Sequence, residues 1–193
     1  MSERILLRQK CRILTPAEYQ VFRSCLNPTY QTMADVLLHT GLRIVEFWAF
    51  VEHPEWYHAS VRVIDLPEEG STKKDRAEYV QRTIRLTLDG CKSVETLNAL
   101  HPRKVTRVAM RDAFRRASIK AKLGTKGIVP KFPRKTLVSW LMEARKELSI
   151  DSLDIGASMG HDLETLRIHY LGVGFAPSDH DDIVAFLKGW KTT

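Results

Sequence analysis

Apolar residues recur at helical spacing over the first quarter of the chain. The run T-P-A-E at 15–18 combines a capping box with proline at the first helical position, which predicts a helix that starts there and runs toward Cys25. A second helix is predicted after 27–28, where asparagine precedes proline, and it should end at Gly41 in the left-handed cap conformation. Arg43 should therefore lie just beyond a helix end.

The periodicity shortens after this point. A brief apolar helix face, stopped by the His-Pro pair at 53–54, is predicted from Ile44, Phe47, Trp48 and Val51. Alternating residues at 61–66 and 83–87 predict two paired strands, because successive strand side chains point to opposite faces. The polar segment 67–81 should join them as a hairpin loop.

Helical spacing returns in the second half of the chain. The segment 106–123 predicts an amphipathic helix whose apolar face consists of Met110, Ala113, Phe114, Ala117 and Ala121. A helix with a buried face should follow Arg134, and two more are predicted near 162–171 and 179–188. The pattern as a whole indicates an α+β fold that is mostly α-helical and carries one small antiparallel sheet.

A length of 193 residues suits one core with short extensions rather than two full domains. We expect an N-terminal extension at 1–13 and a single domain at 14–193, whose last part, 175–193, forms a C-terminal tail.

The three cysteines are odd in number and far apart, so neither a disulfide framework nor a metal site is indicated. With a polar N-terminus and no apolar run of membrane-spanning length, the expected location is the cytoplasm, with no membrane partner.

Basic residues outnumber acidic ones and are concentrated in one region. Thirty Lys and Arg against twenty-three Asp and Glu give a net charge of +7, which favours a polyanionic partner. Between Arg103 and Lys126 there are nine basic residues and a single acid, Asp112. This imbalance favours contact with a DNA backbone over a merely solvated helix face. The predicted DNA-binding residues are Arg103, Lys104, Arg107, Arg111, Arg115, Lys122 and Lys126.

Four short pieces carry candidate chemistry in a fixed order. They are TGLRIVE at 40–46, KK at 73–74, KFPRKT at 131–136 and GHDLETLRIHY at 160–170. Their order, and the nine residues that separate His161 from Tyr170 (170 − 161 = 9), resemble the catalytic domain of the tyrosine recombinases, the phage integrase and Xer group. The resemblance extends from Leu14 to Trp190.

This resemblance implies the tyrosine recombinase catalytic fold and a set of roles. In the family an arginine, a hairpin lysine, a His-x-x-Arg pair, a Gly-His pair and a final tyrosine make the active site. The positions that match are Arg43, Lys73, Lys74, Lys131, Arg134, His161 and Tyr170. Tyr170 would attack a DNA phosphodiester, and one of the two hairpin lysines, which the length of the loop leaves undecided, would protonate the 5′ oxygen.

The chemistry of such a site requires two things. Negative charge builds on the non-bridging phosphate oxygens, and Arg43 and Arg134 could stabilise it with paired hydrogen bonds. The phenol must lose a proton, because its ordinary pKa lies near 10, and His161 is the nearest candidate base. We expect no metal and no other cofactor, and no ATP requirement, because the energy of the broken bond is kept in the phosphotyrosine.

One residue departs from the family pattern. Lys131 stands where the family usually has histidine, and an ammonium is a poor general base unless its pKa is strongly lowered. Each piece taken alone also has an ordinary structural interpretation. Arg43 could only cap a helix, the lysines at 73–74 could be solvated, and Tyr170 could be a core residue.

The resemblance extends to integrases of archaeal viruses and proviruses through HPEWY at 53–57, PRKTLVSWL at 133–141 and DDIVAFLKGW at 181–190. It implies a site-specific recombinase that integrates or excises a viral or other mobile element through a 3′-phosphotyrosyl intermediate. The implied partners are double-stranded DNA and further copies of the chain, as a tetramer on paired sites and a monomer without DNA, with the tail 175–193 docked on a neighbouring subunit. The alternatives are a non-catalytic DNA-binding regulator and a type IB topoisomerase-like enzyme.

Overall fold

Helices make up most of the part of the chain that the computed structural model describes, namely residues 5–70, 81–170 and 172–190. The helices of these ranges are α1 (Pro16–Ser24), α2 (Pro28–Thr40), α3 (Ile44–Glu52), α4 (Leu88–Leu100), α5 (Arg107–Lys120), α6 (Phe132–Ala144), α7 (Ser152–Met159), α8 (Leu163–Tyr170) and α9 (Pro177–Leu187). The strands are β1 (Leu7–Arg8), β2 (Cys11–Arg12), β3 (Tyr57–His58), β4 (Val63–Leu66) and β5 (Arg82–Arg85). The predicted α+β class, mostly helical with a small antiparallel sheet, is confirmed at this level.

The first two helices begin and end for the reasons that the sequence indicated. Thr15 accepts a hydrogen bond from the backbone N–H of Glu18, whose carboxylate accepts from the N–H of Thr15, so the capping box is complete. Asn27 caps α2, and Gly41 ends it with φ of 62°. A side chain at Gly41 would also meet the sulfur of Met159, so glycine suits this position on both counts.

The strand prediction is confirmed for the central pair. β4 and β5 pair antiparallel with Ile64 opposite Ile84, and the short β3 adds a third strand on the other side of β4. The second predicted strand ends earlier than expected because Thr87 caps the next helix by accepting a hydrogen bond from the N–H of Gly90. The predicted loop lies largely at 71–80, outside the described residues.

Several elements differ from the sequence prediction. α4 and α7 have short or mixed apolar faces interrupted by glycine and serine, which weakens their periodic signal. The N-terminal hairpin of β1 and β2 turns at Gln9 and Lys10 without the glycine or asparagine that would have marked it. α6 also begins before Arg134 rather than after it, because Pro133 suits a first helical turn.

The core continues from the N-terminal hairpin to the C-terminal tail. Cys11 and Ile13 are fully buried, so the end of the segment 5–13 packs against the rest of the described chain. In the tail, Ile183, Leu187 and Trp190 are buried and α9 packs against α1 and α6 of the same chain. The apolar face of α9 is thus covered within its own chain, and docking of the tail on a neighbouring subunit stays a prediction.

Candidate active site

Three chain segments that are distant in sequence meet at the guanidinium of Arg134. Its Nη1 donates to the carbonyl of Gly41 at 2.5 Å, and its Nη2 donates to the carbonyl of Met159 and to Nε2 of His161, the latter at 3.1 Å. The two carbonyls belong to the C-terminal ends of α2 and α7, where the helix dipole is negative. These contacts use three of the five N–H donors of a guanidinium and fix its plane.

A single buried carboxylate orients the other two arginines of the site. Glu46 is fully buried in the first turn of α3, and its side chain accepts from the backbone N–H of Arg43 at 2.8 Å and from the guanidinium of Arg43. Its Oε2 also accepts from Nη2 of Arg82 at 2.8 Å. Arg82 is itself buried and donates to the carbonyl of Met159 at 3.3 Å, so it links the sheet to the end of α7.

The buried cluster has a net positive charge. Three arginines, Arg43, Arg82 and Arg134, surround Glu46, an excess of two positive charges (3 − 1 = 2). Burial would raise the pKa of Glu46, but the arginines outweigh it and lower that pKa to about 2. Burial, together with repulsion from Arg43 and Arg82, lowers the pKa of Arg134 to about 9. The site is therefore charged at neutral pH and would gain from a bound anion.

A pocket of about 360 Å³ opens beside this cluster. It is lined by Leu42, Arg43, Ile44, Val45, Arg107, Pro130, Lys131 and Arg134. Four of these described residues are cations and none is acidic. Lys131 precedes the first residue of α6 and is exposed, while Arg107 is the first residue of α5. Four cations therefore border a pocket whose inner surface is otherwise mostly apolar.

Tyr170 is the last residue of α8. Its ring stacks on His161 with centroids 5.6 Å apart, and Nζ of Lys135 lies 4.5 Å from the ring centroid. The side chain is only 2% exposed, and this burial raises the pKa of Tyr170 to about 12 although Arg134 and Arg43 lower it. Tyr170 is not among the described residues that line the pocket.

His161 has a defined hydrogen-bonding role. A guanidinium can only donate, so Nε2 of His161 accepts from Arg134 and the proton of a neutral imidazole must lie on Nδ1. His161 follows Gly160, which ends α7 with φ of 59°. A side chain at Gly160 would meet the guanidinium of Arg82, so this glycine allows the close approach.

The structure thus brings together most of the predicted catalytic residues: Arg43, Lys131, Arg134, His161 and Tyr170. Lys73 and Lys74 lie outside the described residues. Sequence reasoning missed Glu46, Arg82 and Lys135. The spacing of Glu46, three residues after Arg43, could have indicated a capping interaction, whereas Arg82 and Lys135 follow from tertiary packing and had no local signal.

The predicted DNA-binding residues are all exposed. Arg107, Arg111 and Arg115 recur every four residues along α5 and form one stripe, with Lys122 and Lys126 beyond the end of the helix. We call these five residues the α5 stripe. It begins at the pocket, because Arg107 is part of the pocket wall. Apart from the stripe, Arg103 and Lys104 lie before α5, and Lys104 pairs with the exposed Glu52 at 3.0 Å.

No protein-family model, curated protein or solved structure matches this chain. Within 5–70, 81–170 and 172–190, no group of three or more His, Cys, Asp or Glu side chains could hold a metal ion. In the same ranges no helix is both long and apolar enough to cross a membrane.

Proposed function

We propose that this protein is a tyrosine site-specific recombinase, which cleaves and rejoins duplex DNA through a 3′-phosphotyrosyl intermediate. The observation that carries the proposal is the cluster of three arginines with an excess of two positive charges, two of which, Arg43 and Arg134, line the pocket and also lower the pKa of Tyr170. Oriented guanidinium groups stabilise the charge that develops on a transferring phosphoryl group.

In the proposed reaction the scissile phosphate enters the pocket and takes the free donors of Arg134 together with Arg43 and Lys131. The phenolic oxygen of Tyr170 bonds to phosphorus as the bond to the 5′ oxygen breaks. The phosphate takes over the N–H of Arg134 that Nε2 of His161 accepts in the free protein, so that Nε2 can then accept the phenolic proton. Lys73 or Lys74 supplies a proton to the departing 5′ oxygen. Reversal of these steps with a new 5′ hydroxyl rejoins the strand without ATP.

The burial of Tyr170 adds a requirement to this scheme. A side chain that is 2% exposed cannot contact a phosphate in the pocket, so the side chains that cover the phenol have to move when DNA binds, while α8 keeps its position. We further propose that exchange takes place in a tetramer on two paired DNA sites, since two duplexes must each be cut, and that the substrate is the attachment site of a viral or other mobile element.

The test is a covalent trapping assay with nicked duplexes, in which loss of a short 5′ fragment leaves the phosphotyrosine unable to reverse. We expect a protein–DNA adduct from the native chain and none from Tyr170→Phe, with DNA binding retained. Tyr30→Phe is the matched control, because Tyr30 lies on α2 and is half-buried. An adduct that persists in Tyr170→Phe would refute the assignment of the nucleophile.

The second candidate function is a non-catalytic DNA-binding regulator with the same fold. The raised pKa and burial of Tyr170 favour it, because they describe a phenol that is not ready to react. Salt-sensitive binding to duplex DNA without any adduct on nicked substrates would support it. Relaxation of a supercoiled plasmid without recombinant products would instead indicate a type IB topoisomerase-like activity.

A further inference from the structure

The tip of the N-terminal hairpin reaches the helix that carries Tyr170. The side-chain amide nitrogen of Gln9 lies 2.8 Å from Nδ1 and 3.0 Å from Nε2 of His169, the residue before Tyr170. Its Oε1 accepts from Nζ of Lys135 at 2.7 Å. Lys135 in turn lies over the ring of Tyr170. Gln9 therefore contacts both His169, which precedes Tyr170 in the chain, and Lys135, whose ammonium lies over the ring of Tyr170.

The strands of the hairpin are anchored to the rest of the chain by backbone hydrogen bonds and by a buried ion pair. The backbone N–H of Arg12 donates to the carbonyl of Gly127 at 3.0 Å, and that of Ile13 donates to Leu6 at 2.9 Å. The guanidinium of Arg12 is 1% exposed and forms an ion pair with Glu18 at 2.6 Å.

The turn itself is unfavourable for its residues. Gln9 and Lys10 have φ of 49° and 60°, the left-handed region where asparagine and glycine are the usual residues. Each such residue costs roughly 1 kcal/mol relative to glycine. Asparagine at position 9 would suit the backbone better, but its shorter side chain would not span the two contacts that Gln9 makes.

We propose that Gln9 and Lys135 are positioning residues, which hold the ring of Tyr170 and the end of α8 in register with Arg134 and His161. The contacts of Gln9 and Lys135 are observed in the structure, whereas their role in positioning a nucleophile rests on the proposed function. Lys135 acts on the face of the ring and Gln9 acts through Lys135 and His169, so neither needs to touch the DNA.

A purely structural role for the hairpin makes a different prediction. If Gln9 only stabilised the fold, its replacement would lower the unfolding temperature and leave the local environment of Tyr170 in the folded protein unchanged. If it positions Tyr170, the tyrosine should become more reactive to small reagents at temperatures far below unfolding, and the rate of the covalent step should fall while DNA affinity does not.

The experiment compares Gln9→Asn with Gln9→Glu in the full chain. Asparagine keeps the turn and shortens the reach, whereas glutamate keeps the reach and can accept from both Lys135 and His169. Gln20→Ala is the control, because Gln20 is an exposed glutamine on α1. The first measurement is nitration of Tyr170 by tetranitromethane without DNA, followed by peptide mass spectrometry. The second is the rate of adduct formation at saturating nicked DNA.

We expect Gln9→Asn to raise the nitration rate of Tyr170 about tenfold and to lower the adduct rate about tenfold with an unchanged Kd for DNA, the effect of losing one hydrogen-bonded contact to a cation. In Gln9→Glu, the nitration rate and the adduct rate should both equal those of the native chain. Unchanged nitration in Gln9→Asn, or a faster adduct rate, would overturn the proposal. Absence of any adduct from the native chain would overturn the proposed function instead, and the nitration result would still decide whether the hairpin holds Tyr170.

Discussion

Two basic regions lie side by side in this molecule and differ in almost every respect except the sign of their charge. In the cluster around Arg134, each guanidinium is oriented by a buried carboxylate or by backbone carbonyls. In the α5 stripe the side chains are exposed, and the ion pair of Arg111 is with its neighbour Asp112 at the surface. Arg107 belongs to both regions.

The difference shows that the same residue types can serve geometry or long-range attraction. Exposed charges are screened by salt within about 8 Å at physiological ionic strength, so the α5 stripe can attract a polyanion but cannot fix the position of an atom. Buried arginines with several partners are costly to desolvate, yet they hold donors in place. The two regions should therefore fail in different ways when charges are removed.

The largest expected effect comes from Glu46. Glu46→Gln leaves the three arginines without a compensating charge, and we expect a loss of about 3–5 kcal/mol in the free energy of unfolding at pH 7, measured by urea denaturation. Because the pKa of Glu46 is lowered to about 2, its contribution is present above pH 4.5 and is lost as the pH falls toward 2. In Glu46→Gln this part of the acid sensitivity should disappear.

The control for this prediction is Glu52→Gln. Glu52 is exposed and pairs with Lys104, so its removal should change stability by about 0.5 kcal/mol or less. Equal losses in the two variants would mean that the buried cluster is no more dependent on its carboxylate than a surface pair is.

The next effect is on the reaction rate. Arg134→Lys keeps a charge but loses the planar set of donors, and we expect the rate of adduct formation to fall about 10²–10³-fold while DNA binding changes little. Arg145→Lys, beyond the end of the same helix, is the matched control. If Arg134→Lys forms the adduct at the native rate, a positive charge without the planar set of donors is sufficient for the reaction.

The α5 stripe should respond through salt dependence. In the double variant Arg111→Gln/Arg115→Gln, the slope of log affinity against log salt concentration should become less steep by about 2, because each phosphate contact contributes about 0.9. Fluorescence anisotropy with a labelled duplex at several salt concentrations measures this slope. An unchanged slope would remove these two arginines from the DNA interface.

The smallest effect separates the two regions without DNA. Inorganic phosphate should bind at the buried cluster and, at roughly ten times its Kd, raise Tm by about 3–6 °C. Arg43→Ala should lose this shift, whereas the Arg111→Gln/Arg115→Gln variant should keep it. If the double variant loses the shift instead, phosphate binds the α5 stripe and the cluster is not an anion site.

Much of the helical framework could be predicted from the sequence, because its signals are local. The capping box at Thr15, the glycine cap at Gly41 and the apolar face of α5 each depend on residues within a few positions. The approximate composition of the site was also predictable, from the order and spacing of four short pieces. These signals identify residue types and say little about orientation.

What the sequence could not indicate is how the site is held together. The roles of Arg82 and Lys135 arise from contacts across long stretches of chain, such as the 36 positions between Arg82 and Glu46. The hairpin at Gln9 was missed because its turn uses residues that rarely adopt positive φ. The burial of Tyr170 was likewise invisible, since a tyrosine at a helix end fits either a core or a surface position.

Arg134 joins the ends of two helices whose residues are 93 and 25 positions away from it. No short fragment of the polypeptide can therefore assemble the cationic centre, and a chain still emerging from the ribosome lacks it until α7 has been made and docked. The cationic centre therefore appears only when α2, α6 and α7 have packed together, and its charge depends on tertiary structure.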